Sequence, residues 1–199
     1  GGQGLAVDSV LNRVFVTRAI SVESLDGPEV TFIQGQAGAG GSFGAGAARC
    51  AFLTNGAVLA GFTLTNGWTL GAGDLLRDRS GGGALVLDGG VISRCVMAGN
   101  QASEYGGGAL VEGSGELESC VVAGNSAITH GGGVCLFRGG AVRNGTVAGN
   151  AVAGSGGGVY LLEGGELRNS IAWYNTAASG NNILVSGAGA SVRNVCAAD

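Results

Sequence analysis

Residues 106–130 read GGGALVEGSGELESCVVAGNSAITH, and residues 131–155 read GGGVCLFRGGAVRNGTVAGNAVAGS. The second block is the first rewritten. Gly-Gly-Gly begins at Gly81, Gly106, Gly131 and Gly156, and asparagine recurs at Asn100, Asn125, Asn150 and Asn175, a period of 25 residues in both cases. Self-similarity at a period of roughly 20 to 50 residues marks a stacked repeat architecture.

Within one repeat, Ala109 to Glu112 alternates like a strand and Gly113-Ser114-Gly115 turns. Glu116 to Glu118 alternates again, and Cys120 to Val122 leads into a Gly124-Asn125 corner. No window carries a helical stripe. Three short strands closed by glycine-rich turns describe one coil of a parallel β-solenoid, in which each coil serves as the crossover that parallel strands require. The predicted fold is therefore all-β, a parallel β-helix (β-solenoid) of about seven coils with a 25-residue repeat, in one domain, 1–199; its right hand is what the resemblance given below implies. Residues 1–49 form N-terminal coils and a Gly-rich loop, with Leu5 to Ile20 as a cap; 50–80 form an irregular coil with an insertion; 81–199 hold the regular repeats.

Stacking converts sequence columns into ladders. Ala84, Ala109, Val134 and Val159 form one apolar column, and Val86, Val111, Leu136 and Leu161 form the next. Ile92, Leu117, Val142, Leu167 and Val192 form a third. These are the predicted core. The Gly triplets supply sharp bends, often at positive φ. The Asn column suits a left-handed corner whose side-chain amides can bond along the stack.

Composition excludes several classes. Gly accounts for 43 of 199 residues without a Gly-X-Y period, so collagen is excluded; 45% hydrophobic content argues against disorder. A net charge of −4 without a basic cluster leaves nucleic acid an unsuitable partner. No apolar run approaches the ~20 residues of a membrane span. Five cysteines without a CxxC pair make no zinc site, and neither a metal nor a cofactor is expected. Cys95 and Cys120 share a column at near-disulfide spacing; the favoured reading is two buried thiols acting as small hydrophobes.

Asn55 to Gly67 (NGAVLAGFTLTNG), the recurring Cys-Val-x-Ala-Gly-Asn-x-Ala…Gly-Gly-Gly and the segment Val22 to Thr31 together resemble secreted bacterial right-handed parallel β-helix repeat proteins. The repeats are also similar to those of polymorphic outer-membrane autotransporter passengers, within the pectate-lyase-like fold class. The resemblance implies an exported, extracellular or cell-surface protein. It does not transfer lyase chemistry, since a shared fold does not carry a site.

Chemistry is sparse. Glu116, Glu118 and Glu166 beside Arg143 and Arg168 are the best candidates for a polysaccharide lyase or glycoside hydrolase. The simpler reading of Glu118, Arg143 and Arg168, successive in one column, is a charge ladder of little energetic weight. Asp74, Arg77, Asp78 and Arg79 form a second charged group, with Trp68 as a sugar-stacking surface. His130 reads as a solvent-facing turn residue, and no Ser-His-Asp set surrounds it. The columns Leu85, Leu110, Cys135, Tyr160 and Leu87, Glu112, Phe137, Leu162 read as an outward apolar stripe. Either a loop such as Gln34 to Ala48 covers it, or copies associate laterally through it. The expected function is a non-catalytic surface scaffold, adhesin-type or self-assembling module, pairing laterally or end to end. The alternative is a polysaccharide-active or glycan-binding β-helix.

Overall fold

The computed structural model describes residues 5–7 and 10–198, so part of the expected cap Leu5 to Ile20 lies outside the described residues. These residues form an all-β molecule with long parallel sheets and no helix, consistent with a parallel β-solenoid. An eight-stranded sheet runs from Leu5–Val7 and Val10–Val16 through Ala48–Leu53, Ala84–Val86, Ala109–Glu112, Val134–Phe137 and Val159–Leu162 to Ile183–Ser186. Its pairings are parallel except the first, where Leu5–Val7 runs antiparallel to Val10–Val16. A twelve-stranded sheet contains two rows. The row through Glu116–Glu118 and the row through Val121–Ala123 converge on one nine-residue strand, Gly165–Trp173, with Ala190–Ala197 beyond it. The two-residue strands Gln101–Ala102, Ser126–Ala127 and Ala151–Val152 form a third sheet.

Register follows the 25-residue period. Ala109 lies beside Ala84 and Val134, Leu117 beside Ile92 and Val142, and Val122 beside Met97 and Val147. The three apolar columns enter one core cluster with Cys95 and Cys120, and nearly all of their members are fully buried. Each fully buried Leu or Val contributes about 1.5–3 kcal/mol relative to exposure. The stack multiplies a modest core per repeat into a continuous one.

The Asn column sits inside the corner. Asn100 Nδ2 donates to Asn125 Oδ1, Asn125 to Asn150, and Asn150 to Asn175, each at 2.9 Å. Each Oδ1 also accepts the backbone N–H of the preceding corner Asn, as from Asn125 N to Asn150 Oδ1 at 2.9 Å. Each Nδ2 further reaches a core-strand carbonyl, as from Asn150 to Val122 at 2.9 Å. Room for these amides comes from the third glycine of each triplet: a Cβ on Gly133 would lie 2.9 Å from Asn150 Nδ2 and 2.6 Å from the Gly158 carbonyl. Left-handed backbone falls one residue earlier than the Asn column suggests, at Gly99, Gly124, Gly149 and Tyr174. The Asn residues themselves keep ordinary φ, which leaves their side chains aimed inward.

The ladder is closed at both ends by other residues. Gly67 stands where a preceding corner Asn would be, and its N–H donates to Asn100 Oδ1 at 2.8 Å. The Cys50 thiol fills the space, 3.3 Å from the Thr65 carbonyl and 3.6 Å from Asn100 Oδ1. At the other end Asn182 replaces the third glycine, since Val159 pairs with Ile183. Its Oδ1 accepts from Asn175 Nδ2 at 2.9 Å, and its own amide donates to the Ala198 carbonyl.

One buried cation ties the first insertion-bearing repeat together. Arg49 is fully buried; its Nε donates to the Gly81 carbonyl (2.7 Å) and Nη1 to Asn12 Oδ1 (3.0 Å). Nη2 donates to the carbonyls of Arg77 (2.6 Å) and Ser80 (2.8 Å). Burial pulls this guanidinium down to about 10, with the Asp78 charge opposing the shift.

Two stability outcomes follow. Asn150→Ala strands the Asn125 N–H and the Val122 carbonyl, and urea unfolding should show a loss of about 2–4 kcal/mol, from two orphaned groups at ~1–3 kcal/mol each less some relaxation. Arg49→Met leaves four acceptors unserved and should cost about 3–5 kcal/mol, the range for removing one member of a buried charged network. In proteolysis it should expose the segment 70–80 first.

Candidate functional site

A groove of about 390 Å³ runs between the glycine turns and the row Glu116–Glu118, Ala141–Arg143. It crosses four repeats, floored by Gly115, Gly140 and Gly165 and flanked by Ser114 and Ser191. Glycine at the turn is what opens it: at Gly140 a Cβ would meet the Val111 carbonyl at 2.8 Å. Glu116, Ala141 and Glu166 share one column. The short Ala141 side chain leaves a gap between the two acids, and Arg143 fills it.

Arg143 Nη1 lies 2.6 Å from Glu116 Oε1, while Nε and Nη2 hold Glu166 Oε2 at 3.0 and 2.8 Å. The guanidinium is raised above its ordinary value, first by the Glu166 bond and then by Glu116. Glu166 is correspondingly held below the usual carboxylate range by Arg143. A lyase base must lose its proton and a hydrolase acid must carry one; this pairing favours the opposite states of Arg143 and Glu166. Glu118, Arg143 and Arg168 do share a column, yet the pairing runs diagonally to the neighbouring column. Glu118 instead accepts from Asn144 Nδ2 at 2.6 Å, and Arg168 Nε lies 4.0 Å from Glu166.

The expected apolar stripe is not a surface. Leu85, Leu110 and Cys135 are fully buried, with Phe137 and Tyr160 at 8% and 6% exposure. They form a second core with Phe52 and Leu87, against which Phe15, Leu76, Tyr105, Leu162 and Leu184 pack. Leu76 belongs to the second insertion, so that segment closes over the sheet; the loop around Phe43 packs on Trp68 instead, at 5.0 Å between centroids. The strands of this sheet are thus buried on both faces, and alternation could not show it. Trp68 is half-buried and its platform is already occupied by Phe43.

In the second insertion Asp78 is 3% exposed. It accepts the N–H groups of Val10 (3.2 Å) and Asp74 (2.9 Å). Arg79 pairs with Glu104, whose other oxygen accepts from Thr129 Oγ1 at 2.8 Å. Asp74 caps the turn by accepting from the N–H groups of Leu76 and Arg77. These charges organise the loop. Among the described residues no three His, Cys, Asp or Glu side chains gather as a metal site demands.

His130 is not a simple solvent-facing residue. Its ring stacks between Tyr105 and Tyr160, with centroids 5.3 and 4.5 Å away and interplanar angles of 23° and 13°. Tyr105, His130 and Ser155 bridge in register, and the Tyr160 ring leans over the small Ser155 position. All five cysteines carry free thiols; Cys50, Cys95, Cys120 and Cys135 are buried and Cys196 is exposed. Burial pushes Cys50 and Cys120 up to about 12, which keeps both protonated and unreactive.

No protein-family model, curated protein or solved structure matches this chain.

Desolvation lowers the pKa of His130 below its ordinary 6.5, partly opposed by Glu104. As pH falls, the unfolded chain therefore takes up this proton before the folded one. The stability owed to neutral His130 is fully present above about pH 6.5 and is lost as pH drops through that value towards the folded pKa. Urea midpoints at pH 7.5 and 5.5 should differ less in His130→Phe than in the wild type.

Proposed function

We propose that the chain is a rigid, non-catalytic scaffold: a right-handed β-helix of about seven coils, exported, and used at the cell surface or outside it as an adhesin-type module. One observation carries the non-catalytic reading. Among the described residues, the groove that gathers acids and a base has them tied to one another, with Arg143 bonded to both Glu116 and Glu166. The amide ladder through Asn100, Asn125, Asn150 and Asn175 supports rigidity. Export rests on the resemblance of the repeats alone. End-to-end growth belongs to the same reading, since the open edge of a parallel stack presents unpaired backbone groups.

A second reading, glycan binding without turnover, draws on the groove itself, which crosses four repeats and carries hydroxyls and carboxylates suited to a linear sugar chain. A glycan array run beside a reducing-sugar release assay separates the readings. The scaffold reading expects neither retention nor release. Retention abolished by Glu116→Ala, without release, establishes the second reading. Sugar release that disappears in the same variant overturns both.

A further inference from the structure

We propose that a second copy of this chain docks on the outer face of the strand row containing Val121–Ala123. The two-fold axis would lie in the interface, at right angles to the stacking direction. The proposal rests on surface geometry and is independent of the scaffold reading.

The middle residues of this row, Leu64, Met97, Val122, Val147 and Ala172, face the core. Alternation sends their neighbours outward. One outward column runs from Phe32 through Thr63, Val96, Val121 and Thr146 to Ile171, and continues to Cys196. The parallel outward column holds Gln34, Thr65, Ala98, Ala123, Ala148 and Trp173. Neither column contains a charged residue. The adjoining row of the same sheet presents Glu116, Glu118, Arg143 and Arg168, the ordinary dress of a solvated face. On the uncharged face Phe32 is 59%, Val121 40% and Ile171 47% exposed, with Tyr174 at 81% on its margin. The exposed apolar side chains alternate with threonines along an uncharged face, a surface suited to a contact.

The dimensions point to a copy of the chain and to a reversible contact. Six inter-strand spacings of ~4.8 Å give a face about 29 Å long, and four residue steps give it a width of about 13 Å. That is roughly 400 Å² in plan per copy, and more in accessible area because side chains corrugate it. Two such faces make about 800 Å² in plan, below the bound of about 1,200 Å² for stable specific interfaces and in the range where association is weak and transient. With no charge to desolvate, an ionic partner finds no anchor and an identical face meets no penalty.

Row volumes select the orientation. With the rows antiparallel, Phe32 meets the small Cys196 row, Ile171 and Trp173 meet Thr63 and Thr65, and Val96 meets Thr146. Val121 then lies opposite its own copy. With the rows parallel, the two outward columns exchange, so that Phe32 meets Gln34 and the bulky Ile171 meets Trp173, which opens gaps over the threonine and alanine rows. Large against small is the arrangement that packs.

Sedimentation velocity from about 1 to 500 μM, a range that brackets the affinity such an area supports, should show wild type passing from monomer to dimer. Val121→Glu sets two carboxylates against each other and should weaken association at least tenfold. Ser93→Glu, on the charged row, should change it less than twofold. In a Cys196→Ser background, Val121→Cys should be joined into dimers by a short bismaleimide, whereas Ser93→Cys should not. Monomer throughout the range, a dimer indifferent to Val121→Glu, or equal crosslinking from both positions overturns the proposal.

Discussion

Everything in this structure is arranged around the space left where Gly83, Gly108, Gly133 and Gly158 have no side chain. The corner amides of Asn100, Asn125, Asn150 and Asn175 occupy that space, and each bonds to the next repeat and to a core strand at once. A buried amide has two donors and an acceptor to satisfy, and one left unpaired would cost more than the whole contact contributes. Exact stacking is the only register that satisfies all of them. Shift one repeat by a residue and every amide in the column faces a Cβ or an empty carbonyl. The ladder therefore fixes register, and register in turn brings Leu117 over Ile92 and Val122 over Met97, so that the apolar columns close.

The same constraint explains the irregular ends. A ladder of amides cannot simply stop inside a core, because its terminal donor or acceptor would be orphaned. Cys50 and Gly67 serve at one end and Asn182 at the other. Neither solution carries a periodic signal: Cys50 reads as a small core residue, and Asn182 falls only seven residues after Asn175 in the chain although it lies next to it in the ladder. Arg49 escaped notice for a related reason. A lone arginine beside a cysteine looks exposed in sequence, and only the carbonyls of a folded insertion give its five N–H groups somewhere to point.

What the residues made legible was the part governed by period. The all-β parallel architecture and the three apolar columns follow from repetition at 25 residues and alternation at two. Handedness and coil number are finer than that signal. The charged groups were legible as a neighbourhood but not as a pairing, since a column puts Glu118 beside Arg143, while the long Arg143 side chain reaches diagonally to Glu116 and Glu166 across the short Ala141. His130 belonged to its column with Tyr105 and Ser155, yet the second ring that stacks on it comes from Tyr160, five residues past Ser155 and outside that column.

Alternation states which residues share a face and is silent about what lies beyond that face. Leu85, Leu110 and Cys135 alternate with core residues just as Val96 and Val121 do, and both sets are apolar. The difference arises outside the repeat. The insertion that carries Leu76 breaks the period once and folds back over the first set, helped by Tyr105, while at the second the Pro28 carbonyl accepts from Thr63 Oγ1 and Val121 and Ile171 stay exposed. Apolar character alone therefore does not tell a covered face from an open one. Width and composition then separate the two faces: the covered one carries Leu, Phe and Tyr, bulky side chains that mesh with a covering segment. The open one carries Val, Ala and Thr through its middle and the bulkier Phe32, Ile171 and Trp173 towards its ends, a relief that meshes with its own reverse.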